Sequence, residues 1–435
     1  MNRNFVKLSD HLVDLASGTA PLPEQHLRLA RYSLFDWMTC GIAGKKEPVA
    51  ALLRQTALDD GASPVASLIG GGLSSCRLAA LVNGATSHAL DYDDTHFAHI
   101  GHLSVGVYPA ALAVGELVNA TVADVIAAFL LGAEAAIRIG LALGTAHYDL
   151  GFHQTATAGA FGATVAAARL LDLGPDRMRE AIGLAATRAS GIKNQFGSMG
   201  KPLNAGLAAS NGVECALWAQ AGLTSARDGI EGVNGFLVTH SNRPAPEAGL
   251  RDDFLFDAVK YKLHACCHGT HAMIEALAAI PTRPRVEEIN SIVLRTSPRW
   301  LNVCDIKTPR TGLEIKFSYA WLAGMVLMGI STADEGSYTA AMAADPTLAD
   351  VASRMTVIGD PGLSEMQAEG ELLMSNGAAI PFCHDLNAAV PSDTLARGLR
   401  AKSTGLLGAL AAEELWNATM EGPKIRATDL GSLLQ

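Results

Sequence analysis

Charge is scarce in this 435-residue chain: 17% of the residues are Asp, Glu, Lys or Arg, against about a quarter in ordinary soluble proteins. Aromatics are scarce as well, at 6%, and the seven cysteines include no CxxC pair. Each shortage excludes something. Low charge beside a 49% hydrophobic content excludes a disordered chain, which cannot bury enough apolar surface to fold. The cysteine usage fits a reducing compartment rather than a disulfide framework. Basic residues are outnumbered 33 to 43, a formal net charge of -10. No clustered Lys and Arg are left to replace phosphate counterions, so no nucleic-acid partner is expected. Long uncharged apolar runs are missing too. The best span, Val125 to Gly144, carries Glu134 and Arg138 in its middle, both costly in hydrocarbon, so no membrane partner is expected. Met1 to Ala16 lacks the unbroken apolar core of a signal peptide, and the chain reads as cytoplasmic.

What the chain has is glycine, 43 residues of it, with much alanine, in segments of helical texture. Its length exceeds what one core usually supports, so two domains are expected. Pro23 opens a helix whose apolar residues recur at spacings of three and four, with Gly44 past its end. Comparable segments cover 48–58, 75–90, 104–118, 121–147, 154–171, 176–189 and 203–221. Many are apolar around most of their circumference, which places them inside a multilayered helical body. From about 258 the texture changes: 289–296, 355–360 and 369–375 read as strands, with helical pieces at 270–280, 316–329 and 336–353. The stretch 392–420 turns helical again and is expected to pack back on the first part. The fold class is therefore mostly α with an α+β part. Residues 1–262 and 390–435 form a large all-helical domain, and 263–389 form a smaller α+β lid inserted before the C-terminal helix.

Chemistry concentrates in short interruptions of this apolar texture. Asp91-Tyr-Asp-Asp-Thr95-His-Phe-Ala-His99-Ile-Gly-His102 packs three carboxylates and three imidazoles into twelve residues. That density suits metal ligation or acid–base catalysis, although the spacing matches no standard metal signature. The alternative is a polar connecting loop whose Asp and His cap helices. His147-Tyr148 and His153-Gln-Thr-Ala-Thr157 make a second titratable turn between helices. Gly197-Ser198-Met-Gly-Lys201-Pro-Leu-Asn204 lacks the Gly and the Ser/Thr of a nucleotide loop, yet sets a lysine in an uncharged turn, where lysine rarely sits without a partner or a role. His264-Ala-Cys266-Cys267-His268-Gly-Thr-His271 is a weaker group, in which small buried thiols are the commoner reading of the cysteines.

Ser87-His-Ala-Leu-Asp-Tyr-Asp-Asp-Thr95, Gly151-Phe-His-Gln-Thr-Ala-Thr157, Gly197-Ser-Met-Gly-Lys-Pro-Leu203 and Cys267-His-Gly-Thr-His271, in that order, resemble the MmgE/PrpD family. That family includes 2-methylcitrate dehydratase, cis-aconitate decarboxylase and iminodisuccinate epimerase. The resemblance implies a helical domain with an α+β lid, a homodimer, a site between the domains, and catalysis with no metal and no organic cofactor. Carried over by position, it implies a catalytic set of Asp91, His102, Tyr148, His153, Lys201 and His271, with Thr95, His99, Ser198 and Trp321 binding substrate. This chain departs from the family in four places: His102-Leu-Ser-Val in place of His-Pro-Ser-Gly, Gln154 for a usual Pro, Asn204 for a frequent His, and Trp321 for a site tyrosine of the decarboxylase.

The activities of that family all act on a C–H or C–C bond beside a carboxylate. Removing the proton leaves an enolate-like dianion, at which cations and strong donors must be aimed. Lys201 with His102 and His153 would supply a local positive field despite the net charge. The expected activity is therefore a cofactor-independent lyase or isomerase for a small polycarboxylate partner, foremost a 2-methylcitrate-type dehydratase with His153 and His102 as base and acid, oriented by Asp91. The alternatives are an epimerase of an iminodisuccinate- or aspartate-like substrate using Tyr148 and Lys201, a cis-aconitate-type decarboxylase, and a noncatalytic scaffold.

Overall fold

A computed structural model describes residues 7–422 and 424–435; the first six residues of the stretch Met1 to Ala16 lie outside the described residues. The chain divides into two units, Met1–Tyr261 with Leu407–Gln435, and Lys262–Leu406.

The first unit is helical because its sequence is. Its main helices are α1 (Glu24–Gly44), α2 (Cys76–Ser87), α3 (Ser104–Leu117), α4 (Val122–Asp149), α5 (Gln154–Leu170) and α6 (Gly200–Gln220). Most of α3 and the first fifteen residues of α5 are buried, as expected of helices without a polar face. Small residues let them approach. A Cβ on Gly132 of α4 would lie 2.5 Å from the Gly162 carbonyl of α5, and one on Gly162 would lie 2.6 Å from the Gly132 carbonyl. α2 and α6 meet the same way, where a Cβ on Gly84 would be 2.8 Å from the Gly206 Cα.

α4 is long and apolar enough to cross a membrane, but its most apolar stretch is 89% buried inside the unit. Its two interior charges meet: Arg138 Nη2 donates to Glu134 Oε2 at 3.1 Å, while Nη1 reaches the carbonyls of Gly249 and Arg251. Glu134 Oε1 accepts the N–H groups of Leu255 at 2.6 Å and Phe256 at 2.7 Å. The pair therefore clasps the 249–256 segment. Gly144, at φ 67°, breaks the helical path near its end and redirects the turn that carries Tyr148.

The second unit holds a four-stranded sheet made from β1 (Ile289–Thr296), β2 (Met355–Gly359), β3 (Gln367–Met374) and β4 (Ala379–Asp385), in the order β2-β1-β3-β4. β1 pairs parallel with β2 (Ile292 opposite Met355) and antiparallel with β3. β4 was not expected from the sequence, because Pro381 argues against a strand. It lies at the sheet edge, the place where a missing N–H is tolerated. Helices α7 (His271–Ala278) and α8 (Tyr319–Met328) accompany the sheet.

The C-terminal boundary falls at Leu406/Leu407 rather than at 389/390. The stretch read as one helix over 392–420 is two pieces, Ser392–Leu407 and Ala409–Trp416, separated by Gly408 at φ 85°. Only the second belongs to the first unit, where Trp416 packs edge-on to Phe35 of α1 at 5.1 Å between ring centroids.

Candidate active site

The loop between α2 and α3 carries the polar cluster. It begins at His88, the residue that ends α2, and turns through Asp91, a non-glycine residue at φ 52°. Left-handed backbone at such a residue is uncommon and collects at functional sites.

The three aspartates of the loop do three different things. Asp91 is half-exposed and reaches Lys201 Nζ at 2.5 Å with Oδ2 and His102 Nε2 at 3.5 Å with Oδ1. Asp93 is sealed from solvent between two imidazoles. Its Oδ1 accepts from His88 Nδ1 at 2.8 Å, and its Oδ2 lies 2.7 Å from His102 Nδ1, in ion-pair range but off the line of a straight hydrogen bond. Burial alone would raise the Asp93 pKa, but the two imidazoles outweigh it and hold the carboxyl well below the usual range. Asp94 is equally buried and is bonded by neutral groups. It accepts from the Ser104 N–H at 3.1 Å, the Ser104 hydroxyl at 2.5 Å and the Ser33 hydroxyl at 3.1 Å, and burial pushes its pKa up to about 6. For Asp94 the helix-capping reading holds, since it ties down the first turn of α3.

The histidines divide as well. His96 bonds the Leu255 carbonyl at 2.9 Å and accepts the His99 N–H at 3.2 Å. Burial lowers its pKa to about 4. His99, wholly buried against Gly140 of α4, is lowered by burial to about 3. Both are neutral packing groups. His102 stays at the rim with its backbone N–H on Thr155 Oγ1 at 3.0 Å, and its ring stands 4.5 Å from that of His88.

The other motifs converge on the same place. His153 caps α5 at its N-terminus, is 3% exposed, and lies near His88, with the ring centroids 6.4 Å apart. Burial, reinforced by His88, Lys201 and His102, lowers its pKa well below the ordinary imidazole value. Asn204, one turn into α6, donates its amide N–H to His153 Nδ1 at 3.0 Å and to the Ile192 carbonyl at 3.3 Å. Lys201 occupies the first turn of α6, its ammonium 5.6 Å from the Phe196 ring centre. Ser198 is exposed, with its hydroxyl on the Gln195 carbonyl at 2.8 Å and accepting the Gly200 N–H at 3.1 Å, so it starts α6. Thr95 is bridged through its backbone to Lys260, both bonds at 2.8 Å. The face of Tyr148 carries the Lys193 ammonium at 3.6 Å from the ring centre.

Asp91, His102, His153 and Lys201 thus gather on one wall of the first unit. His271 and Trp321 belong to the second unit. His271 opens α7, 2% exposed, its ring 4.6 Å from His268, with its pKa lowered by burial and by neighbouring imidazoles. Trp321, in the first turn of α8, is buried, its indole N–H on the Met342 carbonyl at 3.4 Å.

Sequence reasoning passed over His88, Asp93 and Asn204 as site members. His88 stands just before the polar run and inside the family motif, which was the available signal. Asn204 drew notice only as a departure.

Ligand atoms of His88, Asp91, Asp93 and His102 lie within 4.8 Å of one another, two nitrogens and two carboxylates that suit a divalent cation by type. The positive charge such an ion would bring is already supplied: Lys201 sits on Asp91, and imidazole nitrogens face both oxygens of Asp93.

The model of the MmgE/PrpD N-terminal domain matches residues 8–248, and that of the C-terminal domain matches 264–375. The chain is 31% identical over 284 residues to a cis-aconitate decarboxylase of Aspergillus terreus, 61% of this chain and 58% of that protein. It is 28% identical over 295 residues to a cis-aconitate decarboxylase-like protein of Aspergillus oryzae, 62% of this chain and 61% of that protein. With human cis-aconitate decarboxylase the figures are 29% over 213 residues, 46% of this chain and 44% of that one. The chain therefore spans well under two thirds of the length of the relatives it matches.

Proposed function

The chain belongs to the MmgE/PrpD family, and from that premise we propose that it is a cofactor-independent acid–base lyase that breaks a C–H bond beside a carboxylate of a small polycarboxylate. The observation that carries the proposal is Asp91 held between Lys201 at 2.5 Å and His102 at 3.5 Å, at the half-exposed edge of an otherwise buried polar cluster. Lys201 is the fixed cation that an enolate dianion requires. The leading reaction is dehydration of a hydroxy-polycarboxylate of the 2-methylcitrate type. A base takes the α-proton, the C–H electron pair becomes the C=C bond, and the β-hydroxyl leaves as water with a proton from the Lys201 ammonium. His153, neutral and buried, donates a hydrogen bond to the substrate carboxylate as it gains enolate character.

Decarboxylation of an unsaturated tricarboxylate is the second reading, favoured by the names of the relatives; epimerisation differs from both in returning the proton to the same carbon. The participation of His271, the homodimeric state and a cytoplasmic location rest on the resemblance and on composition, and belong to the same proposal. The test is proton NMR of the purified protein with a panel of hydroxy- and unsaturated polycarboxylates. An alkene formed with loss of water supports the leading reading, and release of CO2 supports the second. A panel left wholly unchanged contradicts both.

A further inference from the structure

The two imidazoles on this wall are held by different neighbours, and the difference assigns their protons. The Ile192 carbonyl can only accept, so the Asn204 nitrogen that meets it at 3.3 Å must be the amide NH2. That same NH2 meets His153 Nδ1 at 3.0 Å, so Nδ1 is an acceptor and carries no proton. The proton of the neutral His153 ring is therefore on Nε2. His102 is the reverse. Both of its ring nitrogens face carboxylates, Nδ1 the buried Asp93 Oδ2 at 2.7 Å and Nε2 the half-exposed Asp91 Oδ1 at 3.5 Å, and the shorter contact, sealed from solvent, keeps the proton of the neutral ring on Nδ1. His88 holds the other oxygen of Asp93 at 2.8 Å and stops that carboxylate from turning away. His102 Nε2, at the longer distance of 3.5 Å from the half-exposed Asp91, is then the nitrogen that changes its protonation.

We infer that Asp93, braced by His88, and Asn204 are positioning residues that set His102 and His153 in opposite tautomers, making His102 Nε2 the proton acceptor and His153 Nε2–H a fixed hydrogen-bond donor. Neither residue touches the substrate; each acts through the ring it holds. In the proton-abstraction step the substrate C–H bond breaks, its proton forms the Nε2–H bond of His102, and the ring becomes an imidazolium stabilised by Asp93. The electron pair passes into the enolate, whose oxygen accepts from His153 Nε2–H. A neutral imidazole suits that second role because it lends its proton without releasing it. The arrangement also explains why an asparagine serves after Lys-Pro-Leu: an amide held by a carbonyl fixes a tautomer and adds no charge.

The kinetic half of this inference rests on the acid–base reading above, whereas the tautomers are properties of the unliganded protein. The test is long-range proton–nitrogen NMR of the full chain labelled with ¹⁵N-histidine, with each ring assigned by its substitution. Wild type should show His102 protonated at Nδ1 and His153 at Nε2. Asp93→Asn presents an N–H to Nδ1 and should move the His102 proton to Nε2. With a turned-over substrate, kcat should then fall about 100-fold or more at a KM within about threefold. Asp93→Glu keeps the acceptor and should retain the wild-type tautomer and recover most of kcat. Asn204→Asp should move the His153 proton to Nδ1. His102 protonated at Nε2 alone in wild type, His153 protonated at Nδ1, or an Asp93→Asn enzyme with altered tautomer and unchanged kcat would each overturn the inference. If no polycarboxylate is turned over, the spectra still decide the tautomers, so the two failures are distinguishable.

Discussion

Two places in the first unit bury charge among apolar helices, and they are built on opposite plans. In the Glu134–Arg138 clasp the protein itself uses every polar side-chain atom but Arg138 Nε. Both Glu134 oxygens are bonded, and the two terminal nitrogens of Arg138 reach Glu134 and the carbonyls of Gly249, Arg251 and Asp253. In the 88–102 loop the accounts stay open. Among the described residues His88 Nε2 meets no hydrogen-bond partner, Asp93 Oδ2 and His102 Nδ1 face each other off the line of a straight bond, and Asp91 with Lys201 reaches toward solvent. Satisfied buried polar groups hold a fold in one state, whereas under-satisfied ones with shifted pKa values mark reactive sites. The same contrast recurs between neighbours. Asp93 and Asp94 are both buried, yet one is flanked by imidazoles and the other by hydroxyls.

Breaking the clasp should have the largest effect, and on stability alone. Glu134→Ala leaves the Arg138 charge buried and unpaired, which costs about 3–5 kcal/mol. Urea unfolding should show that loss while turnover per folded molecule is retained. Lys201→Met should do the opposite, lowering kcat about 100- to 1,000-fold with a melting temperature within a few degrees of wild type. A change of less than tenfold would remove Lys201 from the mechanism.

The two aspartates should differ in how pH acts through them. The Asp94 pKa is raised from 3.8 to about 6 in the folded state, so its contribution to stability is full below about 4 and is lost as pH rises through that folded value. Asp94→Asn removes the loss. Relative to wild type the variant should therefore gain up to about 3 kcal/mol between pH 4 and 7, at about 1.36 kcal/mol per unit. Asp93 is held well below its ordinary range, so its contribution is present above pH 4 or so and disappears as pH falls through its folded value. The deficit of Asp93→Asn should grow as pH rises from the acid side. Thermal melts of both variants across that range check the pair; parallel profiles would erase the distinction drawn between them. The smallest effect is expected from chelation. Dialysis against EDTA should leave turnover unchanged, and a loss restored by a divalent ion would mean that His88, Asp91, Asp93 and His102 hold a metal.

These contrasts are only partly visible in the amino-acid order. Most helices of the first unit are, the central ones because their composition leaves them no polar face to expose, and so are β1 and most of β3, where β-branched or alternating residues mark the run. The edge strand Ala379–Asp385 is not, since Pro381 reads as a breaker until the open edge beside it is known. The break at Gly408 is invisible in a leucine-spaced stretch that continues across it. Within the site, the cluster could be located but not sorted. Asp91, Asp93 and Asp94 are alike as letters, and their roles come from contacts with Lys201, His88 with His102, and Ser104. Asn204 reads as a lost histidine, and its use emerges only when the Ile192 carbonyl fixes its amide.

The central claim is that the open-ended polar loop removes a proton from carbon. It is tested most directly by incubating the protein with the polycarboxylate it turns over in D2O and following deuterium at the carbon beside the carboxylate, in wild type and in His102→Gln. The account predicts exchange at that carbon in wild type and a loss of about 100-fold or more in the variant. Exchange at the same rate in both would contradict it.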